Sequence, residues 1–506
     1  MNRFFGKILV VVILIFAGCS DVPDKLVAPS WNTELNIPLA NRDYSLEDII
    51  NDSQYISIDT NDHGKIFVFR SDTVEYSYSI GNYLKDKLNF SALDIEIPIV
   101  EGKGSTYFSI DELLDVDSSV INGGNLIIKI QNNSPDPMEF RVIIPRLKNN
   151  GIPFEIHETL QGNEAKTENR SLLNFIYAAP DDPPGQVLVE AEIIEGNMNG
   201  TVSLDVEIEE SSFEYFKGRI PTATLETVQY SVSLPITETV RNLRNKITIE
   251  NPKLYIKAYY KSDAENIFEA MLHHVRVIAK TKEDEIRNME TPDGDNNMGD
   301  LGLSGGILNE VFDESNSNIG YLLALMPDSL TLTADIIMNP ENKYGEATSR
   351  DTIFLELCLK AETIIGIDSV SYTDSLDFAI DDDQRDLIRK GKSAEITVKL
   401  FNGIALETDM NLDFVSATGD TMWSTSLAIE PADVNQDGFA VLKKFSENII
   451  ILDSNQIKKV ADTEMMYMKL GLSTTKQQLV VLSPDDSLRV NSYSKFMIHL
   501  DPNSTE

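Results

Sequence analysis

The chain has 506 residues, 42% of them hydrophobic and 8% aromatic, which excludes a disordered chain and is enough for about two to four domains of ordinary size. Its 81 acidic residues against 43 basic ones give a formal charge of −38, and this excludes nucleic acid and anionic lipid surfaces as partners, because both need clustered Lys and Arg. The acids are spread along the chain, so they serve solubility first and attraction for calcium or cationic partners second.

At the N-terminus Arg3 and Lys7 flank an apolar run from Ile8 that ends in small residues before Cys19, the pattern of a secretory signal. The run is shorter than the ~20 apolar residues that span a bilayer. Ala17-Gly18-Cys19 resembles the bacterial lipobox, with Phe16 where that box usually has Leu. The resemblance implies that residues 1–18 are removed and that Cys19 carries acyl chains, each buried methylene adding about 0.8 kcal/mol to membrane anchoring. Ser20, rather than Asp, after the cysteine implies the outer membrane. With Cys19 committed to lipid, Cys358 is the remaining thiol, so the chain is expected to fold without an intrachain disulfide.

Farther along, Glu34-Leu-Asn-Ile-Pro-Leu39 recurs as Asp94-Ile-Glu-Ile-Pro-Ile99. Proline places both at a sheet edge or strand end. Ser45-Leu-Glu-Asp-Ile-Ile50 and Ser109-Ile-Asp-Glu-Leu-Leu114 follow as capping boxes, and Gly64 and Gly124 each precede an apolar strand. The pattern reads as a duplicated strand, short helix, strand unit, with Val232-Ser-Leu-Pro-Ile236 as a weaker third echo. Unbroken alternation in Val202–Ile208, Leu330–Ile336 and Met410–Phe414 predicts antiparallel strands with one buried face. Helical windows are few: Asp382–Lys390, Ser454–Asp462 and Ile307–Phe312.

Three Asn-containing turns suggest hairpins: Leu126–Ile130 returning as Met138–Ile144, Asn251–Ile256 returning toward His274–Ile278, and Ile396–Asn402 returning as Asp409–Phe414. They resemble the hairpins of late-embryogenesis-abundant type 2 and immunoglobulin-like β-sandwiches, a resemblance that implies a fold class and no function. Loop-like composition at Ala178–Gly185 and Glu283–Gly306 divides the chain into a signal peptide (1–18), a duplicated β module (19–178), a middle β-sandwich (186–282) and a C-terminal β region (307–506). The expected fold class is all-β, several antiparallel β-sandwich-like modules with a few short helices.

Motifs that could carry chemistry are weak. Gly302-Leu-Ser304-Gly-Gly306 fits a nucleophile elbow, yet what precedes Ser304 reads as a loop rather than a strand. His273 and His274 are adjacent on a strand and should face opposite ways, which leaves zinc without a site. Asp433-Val-Asn-Gln-Asp437-Gly438 matches the start of a calcium loop, but Lys444 stands where the closing acid belongs, which favours an Asx turn. Asp293, Asp295 and Asn297 form a similar triplet without the glycine. Asp-Ser/Thr-apolar triplets at Asp72, Asp328, Asp351, Asp368, Asp374, Asp420 and Asp486 resemble Bacteroidota O-glycosylation sites, but the pattern favours turns entering strands. Met465-Met-Tyr-Met468 reads as core.

The sequence therefore points to a non-catalytic protein, without cofactor or metal, anchored to the outer membrane through Cys19. It is expected to bind or brace another envelope protein. A carrier of lipid or another apolar ligand and a glycan-binding or glycan-active surface protein are the alternatives; the latter would show exposed aromatic platforms, for which Trp31 and Trp423 are the tryptophans available.

Overall fold

The computed structural model describes residues 30–47, 55–61, 64–88, 90–109, 115–179, 181–234, 236, 241–377, 382–475 and 478–500. Cys19 and residues 1–18, expected from sequence to be a signal peptide, lie outside these residues. The chain begins with β1 (Trp31–Ser45), β2 (Ile56–Asn61), β3 (Gly64–Arg70), β4 (Val74–Ser79) and helix α1 (Ile80–Leu88).

Next come β5 (Phe90–Ile99), β6 (Lys103–Ser109), β7 (Asp115–Asn132), β8 (Met138–Asn149), β9 (Ile152–Leu160), β10 (Ala165–Ser171), β11 (Phe175–Ala178), β12 (Gln186–Glu195) and β13 (Gly200–Arg219). They make one complete sandwich, with sheets ordered β5-β13-β7-β10 and β6-β12-β8-β9. β11 bridges β7 and β8 at one end.

The chain then continues through β14 (Ala223–Ser233), β15 (Ile247–Ile249), β16 (Lys253–Lys261), β17 (Ala270–Lys280), β18 (Ile286–Asn288), β19 (Leu301–Gly302), β20 (Ile307–Phe312), α2 (Ile319–Leu323), β21 (Ser329–Met338), β22 (Tyr344–Thr348), β23 (Thr352–Glu362) and β24 (Ile364–Ile367). With β4 this segment forms a second sandwich, β4-β23-β16-β20 over β14-β21-β17-β18. The remainder is β25 (Val370–Asp377), α3 (Asp382–Arg389), β26 (Gly391–Asn402), β27 (Leu406–Val415), β28 (Thr421–Ile429), β29 (Asp433–Val434), β30 (Ala440–Leu442), β31 (Lys444–Asp453), α4 (Ser454–Ala461), β32 (Met465–Thr474), β33 (Val480–Val481) and β34 (Ser487–Leu500). It joins β1 in a third sandwich, β1-β34-β26-β31 over β25-β32-β27-β28.

Counting the strands of each sandwich from first to eighth, the sheets run 1-8-3-6 and 2-7-4-5 in all three. This is the jelly-roll order, in which a long antiparallel ribbon wraps so that its two inner faces close over one core. The three are nested in the chain. The inner sandwich (β5–β13) is inserted between the first and second strands of the middle one (β4 and β14), and both are inserted between the first and second strands of the outer one (β1 and β25). Residues 1–49, 368–480 and 485–506 form one compact unit, which holds the outer sandwich; residues 50–367 and 481–484 form the other, which holds the inner and middle ones.

The alternating segments bury the expected faces: Val202, Leu204 and Val206 on β13 and Leu330, Leu332 and Ile336 on β21 are nearly inaccessible, while Glu207 is exposed. Two of the helical windows appear as α3 and α4, the latter started by a capping box between Asp453 and Gln456. The third, Ile307–Phe312, is strand β20, which pairs residue by residue with β16 and buries Leu308 and Phe312.

The three expected hairpins are instead arches. β7 pairs with β10 and β13, and β8 with β9 and β12. β16 and β17 lie in different sheets, as do β26 and β27. Each Asn-containing turn therefore crosses the core from one sheet to the other, and two of them use the same buried plug. Asn132, at the end of β7, accepts the Ser134 N–H (2.9 Å) at Oδ1 and donates through Nδ2 to the carbonyls of Asp136 (2.9 Å) and Leu160 (3.3 Å). Asn402, at the end of β26, accepts the Ile404 N–H (2.9 Å) and donates to the carbonyls of Leu406 (3.4 Å) and Glu430 (3.0 Å). The partners sit at the same offsets, two, four and 28 residues on. Backbone groups that an arch would otherwise leave unpaired are satisfied by one side chain.

The repeated proline motif lies on first strands, Pro38 on β1 and Pro98 on β5, in separate sandwiches. Of the expected strand, short helix, strand units, the first has helical residues Leu46 and Glu47 after β1, and in the second β5 turns into a further strand, β6, which ends at Ser109. Ser45 Oγ does accept the Glu47 N–H (3.1 Å), whereas residues 48–54 and 110–114, which hold the remainder of each capping box, lie outside the described residues. Val232 and Ser233 end a second strand, β14, so the third echo opens no further unit. Gly124 sits within β7 at φ +109, where a Cβ would stand 2.7 Å from Ser211 Cα, and it serves a bulge against β13. The stretches at Ala178–Gly185 and Glu283–Gly306 are connections inside one unit, the first between β11 and β12, the second carrying β18 and β19.

Candidate functional site

In the middle sandwich the sheet β4-β23-β16-β20 turns one face to its core, with Leu254, Ile256, Leu355 and Leu357 essentially inaccessible. Period-two alternation then fixes what the other face carries. Lys253 on β16 lies directly opposite Lys360 on β23, and Lys360 lies directly opposite Arg70 on β3. Three cations thus stand in a row across three adjacent strands of a chain with charge −38. Like charges directly opposite are destabilising in a ladder, so this row stands out against the composition. Its carboxylate neighbour, Asp59, is loosely placed, 4.0 Å from Arg70 and 3.9 Å from Lys360. Lys253 also helps hold the Asp313 carboxyl below its ordinary range, after the larger effect of hydrogen bonds from Ser315.

The rows that follow are Tyr255 opposite Cys358, Lys257 opposite Glu356, and Tyr259 opposite Phe354. Glu356 also faces Glu75 on β4. Tyr259 and Phe354, both half-buried, stack with ring centroids 4.8 Å apart and planes 15° from parallel. From Lys253 to Tyr259 the face runs roughly 20 Å at the rise of an extended strand. A polar cup of about 320 Å³ lies within it, lined by Arg70, Thr73, Tyr255, Lys257, Glu356, Cys358 and Lys360. Chemically, the face offers cations at one end, carboxylates that accept hydrogen bonds in the middle, and aromatic rings beyond. Sequence reasoning missed it because the three cations are far apart in the chain; the outward positions of β16, Lys-x-Tyr-x-Lys-x-Tyr, were the available signal.

Among the described residues, two apolar cavities stand out. One, about 70 Å³, lies between the sheets of the inner sandwich beside Phe108, Phe213 and Tyr177. The other, about 260 Å³, lies inside the outer sandwich.

The motifs singled out from sequence fall as follows. His274 has φ +54 in a bulge of β17, so the two imidazoles lie together, centroids 3.6 Å apart, rather than on opposite faces. His273 Nδ1 stands 2.7 Å from Asp300 and His274 Nδ1 3.7 Å from Asp335. Among the described residues no group of three or more His, Cys, Asp or Glu has metal-holding geometry. Ser304 sits in a tight turn between β19 and β20, followed by a strand and not the helix an elbow needs. Asn435 Oδ1 accepts the N–H groups of Asp437 (3.0 Å) and Phe439 (2.9 Å), while Lys444 pairs with Asp433 at 2.8 Å, so Asp433–Gly438 is an Asx turn. In the Asp293–Asn297 stretch, Asp295 Oδ1 likewise accepts the N–H of Asn297 at 2.9 Å. Six of the Asp-Ser/Thr triplets stand at or just before a strand start, at Asp72, Asp328, Asp351, Asp368, Asp420 and Asp486; Asp374 lies within β25. Met465–Met468 is half-buried on β32, and Met466 lines the outer cavity.

No family model and no curated protein sequence matches this chain. Among solved structures it is similar to a "putative secreted protein" from Parabacteroides distasonis ATCC 8503, at 10% identity and a TM-score of 0.28, covering 92% of this chain and 99% of that one. It is also similar to PNGase F, a glycosylasparaginase from Flavobacterium meningosepticum, at 10% identity and a TM-score of 0.16, covering 57% of this chain and 96% of that one. A Sulfolobus turreted icosahedral virus chain matches at 11% identity and a TM-score of 0.13, covering 84% of this chain and 97% of that one.

Proposed function

We propose that this is a lipid-anchored protein of the bacterial outer membrane that acts by binding rather than catalysis, and that its ligand is a short acidic oligosaccharide held on the outward face of the middle sandwich. The row Lys253–Lys360–Arg70 is the observation that carries this reading. A carboxylate or other single anionic group on the ligand relieves the repulsion within the row. Glu356 and Glu75 then accept hydrogen bonds from sugar hydroxyls, and the half-buried rings of Tyr259 and Phe354 pack against the apolar C–H face of a sugar ring. A long polyanion is disfavoured because the rest of the molecule repels it. The anchor at Cys19 would hold this face among the other components of the envelope.

Calorimetric titration with uronate-containing oligosaccharides, beside neutral ones of equal length, tests the proposal. Acidic oligomers should bind with an affinity that falls as salt rises, and Lys360→Glu should weaken binding by at least tenfold without changing the melting temperature by more than a degree or two. Equal binding of acidic and neutral oligomers, or indifference to Lys360→Glu, would overturn it.

A further inference from the structure

The outer sandwich contains a second site of different chemistry. Its cavity of about 260 Å³ is lined by Ile396, Phe414, Trp423, Leu452, Ile457 and Phe496, with neighbouring apolar residues and the Ser494 hydroxyl as the polar side chain of the lining. Trp423 and Phe414 lie with ring centroids 4.8 Å apart and planes tilted by 35° along one wall. Helix α3 contributes Ile388, and α4 contributes Ile457 and Val460. The two helices are clasped. Arg385, 9% exposed, donates from Nη1 to the carbonyls of Ala461 (2.6 Å) and Thr463 (3.0 Å), and its Nη2 lies 3.1 Å from Glu464. Arg389 adds a bond to Asp462 at 2.7 Å. These polar contacts fix α3 against the end of α4, the two helices that contribute to the lining.

An apolar space of this kind takes apolar guests, as an engineered cavity of about 150 Å³ takes benzene. Scaling from that guest, 260 Å³ accommodates roughly ten carbons. We infer that the outer sandwich binds an unbranched hydrocarbon chain of about that length, such as the tail of a medium-chain acyl group, its polar head remaining outside. A flexible chain fills a slot between two sheets, which lie about 10 Å apart, better than a rigid fused ring does. The inference stands apart from the acidic-oligosaccharide reading, since it concerns the other compact unit and other chemistry.

Trp423 is a built-in reporter. In a Trp31→Phe form of the full chain it is the remaining tryptophan, and decanol, decanoate, a bromine-labelled decanoate and dihexanoylphosphatidylcholine serve as probes. The bromine-labelled chain should quench Trp423 saturably at one equivalent, below its micelle concentration, and unlabelled decanol and decanoate should compete. Competition by the phospholipid as well identifies a lipid-borne tail as the source; its failure identifies the free chain. Leu452→Phe, which fills the slot, should weaken binding at least tenfold while circular dichroism stays unchanged, and Val460→Phe replaces it if that variant does not fold. Absence of saturable quenching, or quenching unaffected in a folded slot-filled variant, would overturn the inference.

Discussion

The inner and outer sandwiches share strand order and the asparagine plug at the third-to-fourth strand arch, yet they are filled differently. The inner one packs Phe140, Val142, Ile128, Ile130 and Phe216, all essentially inaccessible, into a core continuous with that of the middle sandwich. In the outer one, among the described residues, a buried cluster of Ala394, Leu452 and Ile457 is ringed by half-buried Ile396, Trp423, Ile450 and Phe496 around the cavity, with Leu400, Phe414, Leu427 and Ile429 buried as well. Jelly-roll topology sets where the sheets run. It does not set how much side-chain volume lies between them, and the same frame can close on itself or keep room for a guest.

The largest way to break this comparison is to charge the filled core. Val206→Asp puts an unpaired carboxylate at a position 1% exposed, at a cost of several kcal/mol against a domain stability of ~5–15. Hydrogen exchange should show the unit of residues 50–367 unfolding, while Glu207→Lys on the wetted side of the same strand stays within about 0.5 kcal/mol of the native protein. Equal melting temperatures for the two would place the inward face of β13 wrongly.

Truncating matched aromatics sharpens the contrast. Phe140→Ala in the filled core should cost about 3–5 kcal/mol, the usual sum of lost burial and a new cavity. Phe496→Ala enlarges a cavity that already exists and removes a half-buried ring, so its cost should be roughly half as large. Chemical denaturation of the two variants decides, and equal costs would mean that the outer interior is as well packed as the inner.

A smaller effect separates the units by pH. Burial, with Glu75 and Glu356 nearby, pushes the Tyr230 phenol up to about 12. The hydrogen bond to Asp115, then burial, does the same for Tyr344. Burial, then Asp351, carries Tyr260 well above its ordinary value. All three belong to the unit of residues 50–367. The folded state keeps these protons where the unfolded chain, titrating near 10, releases them. Their contribution is thus complete below about pH 10 and is lost as pH rises toward 12 and beyond. Hydrogen exchange across that range should show this unit loosening, and Tyr260→Phe should lessen the change. A pH-independent exchange pattern would contradict the assignment.

The all-β class, the buried faces of Val202–Ile208 and Leu330–Ile336, and helices at Asp382 and Ser454 were legible in the amino-acid order, because period-two alternation and capping residues are local properties. The proline motifs at Pro38 and Pro98 correctly marked related strands. The nesting of their sandwiches was not legible, because the insertion of one sandwich into another separates neighbours in space by hundreds of residues. Asn132 and Asn402 looked like hairpin turns because a turn that stays in a sheet and one that crosses between sheets use the same residues; only the pairing of β7 with β13 and of β26 with β34 distinguishes them. A single positive φ at His274 turned two histidines to one side against the expected alternation. The row Lys253–Lys360–Arg70 and the hollow beside Trp423 likewise belong to tertiary structure alone. Strand register sets which charges meet, and the volume left between two sheets depends on every side chain that faces it.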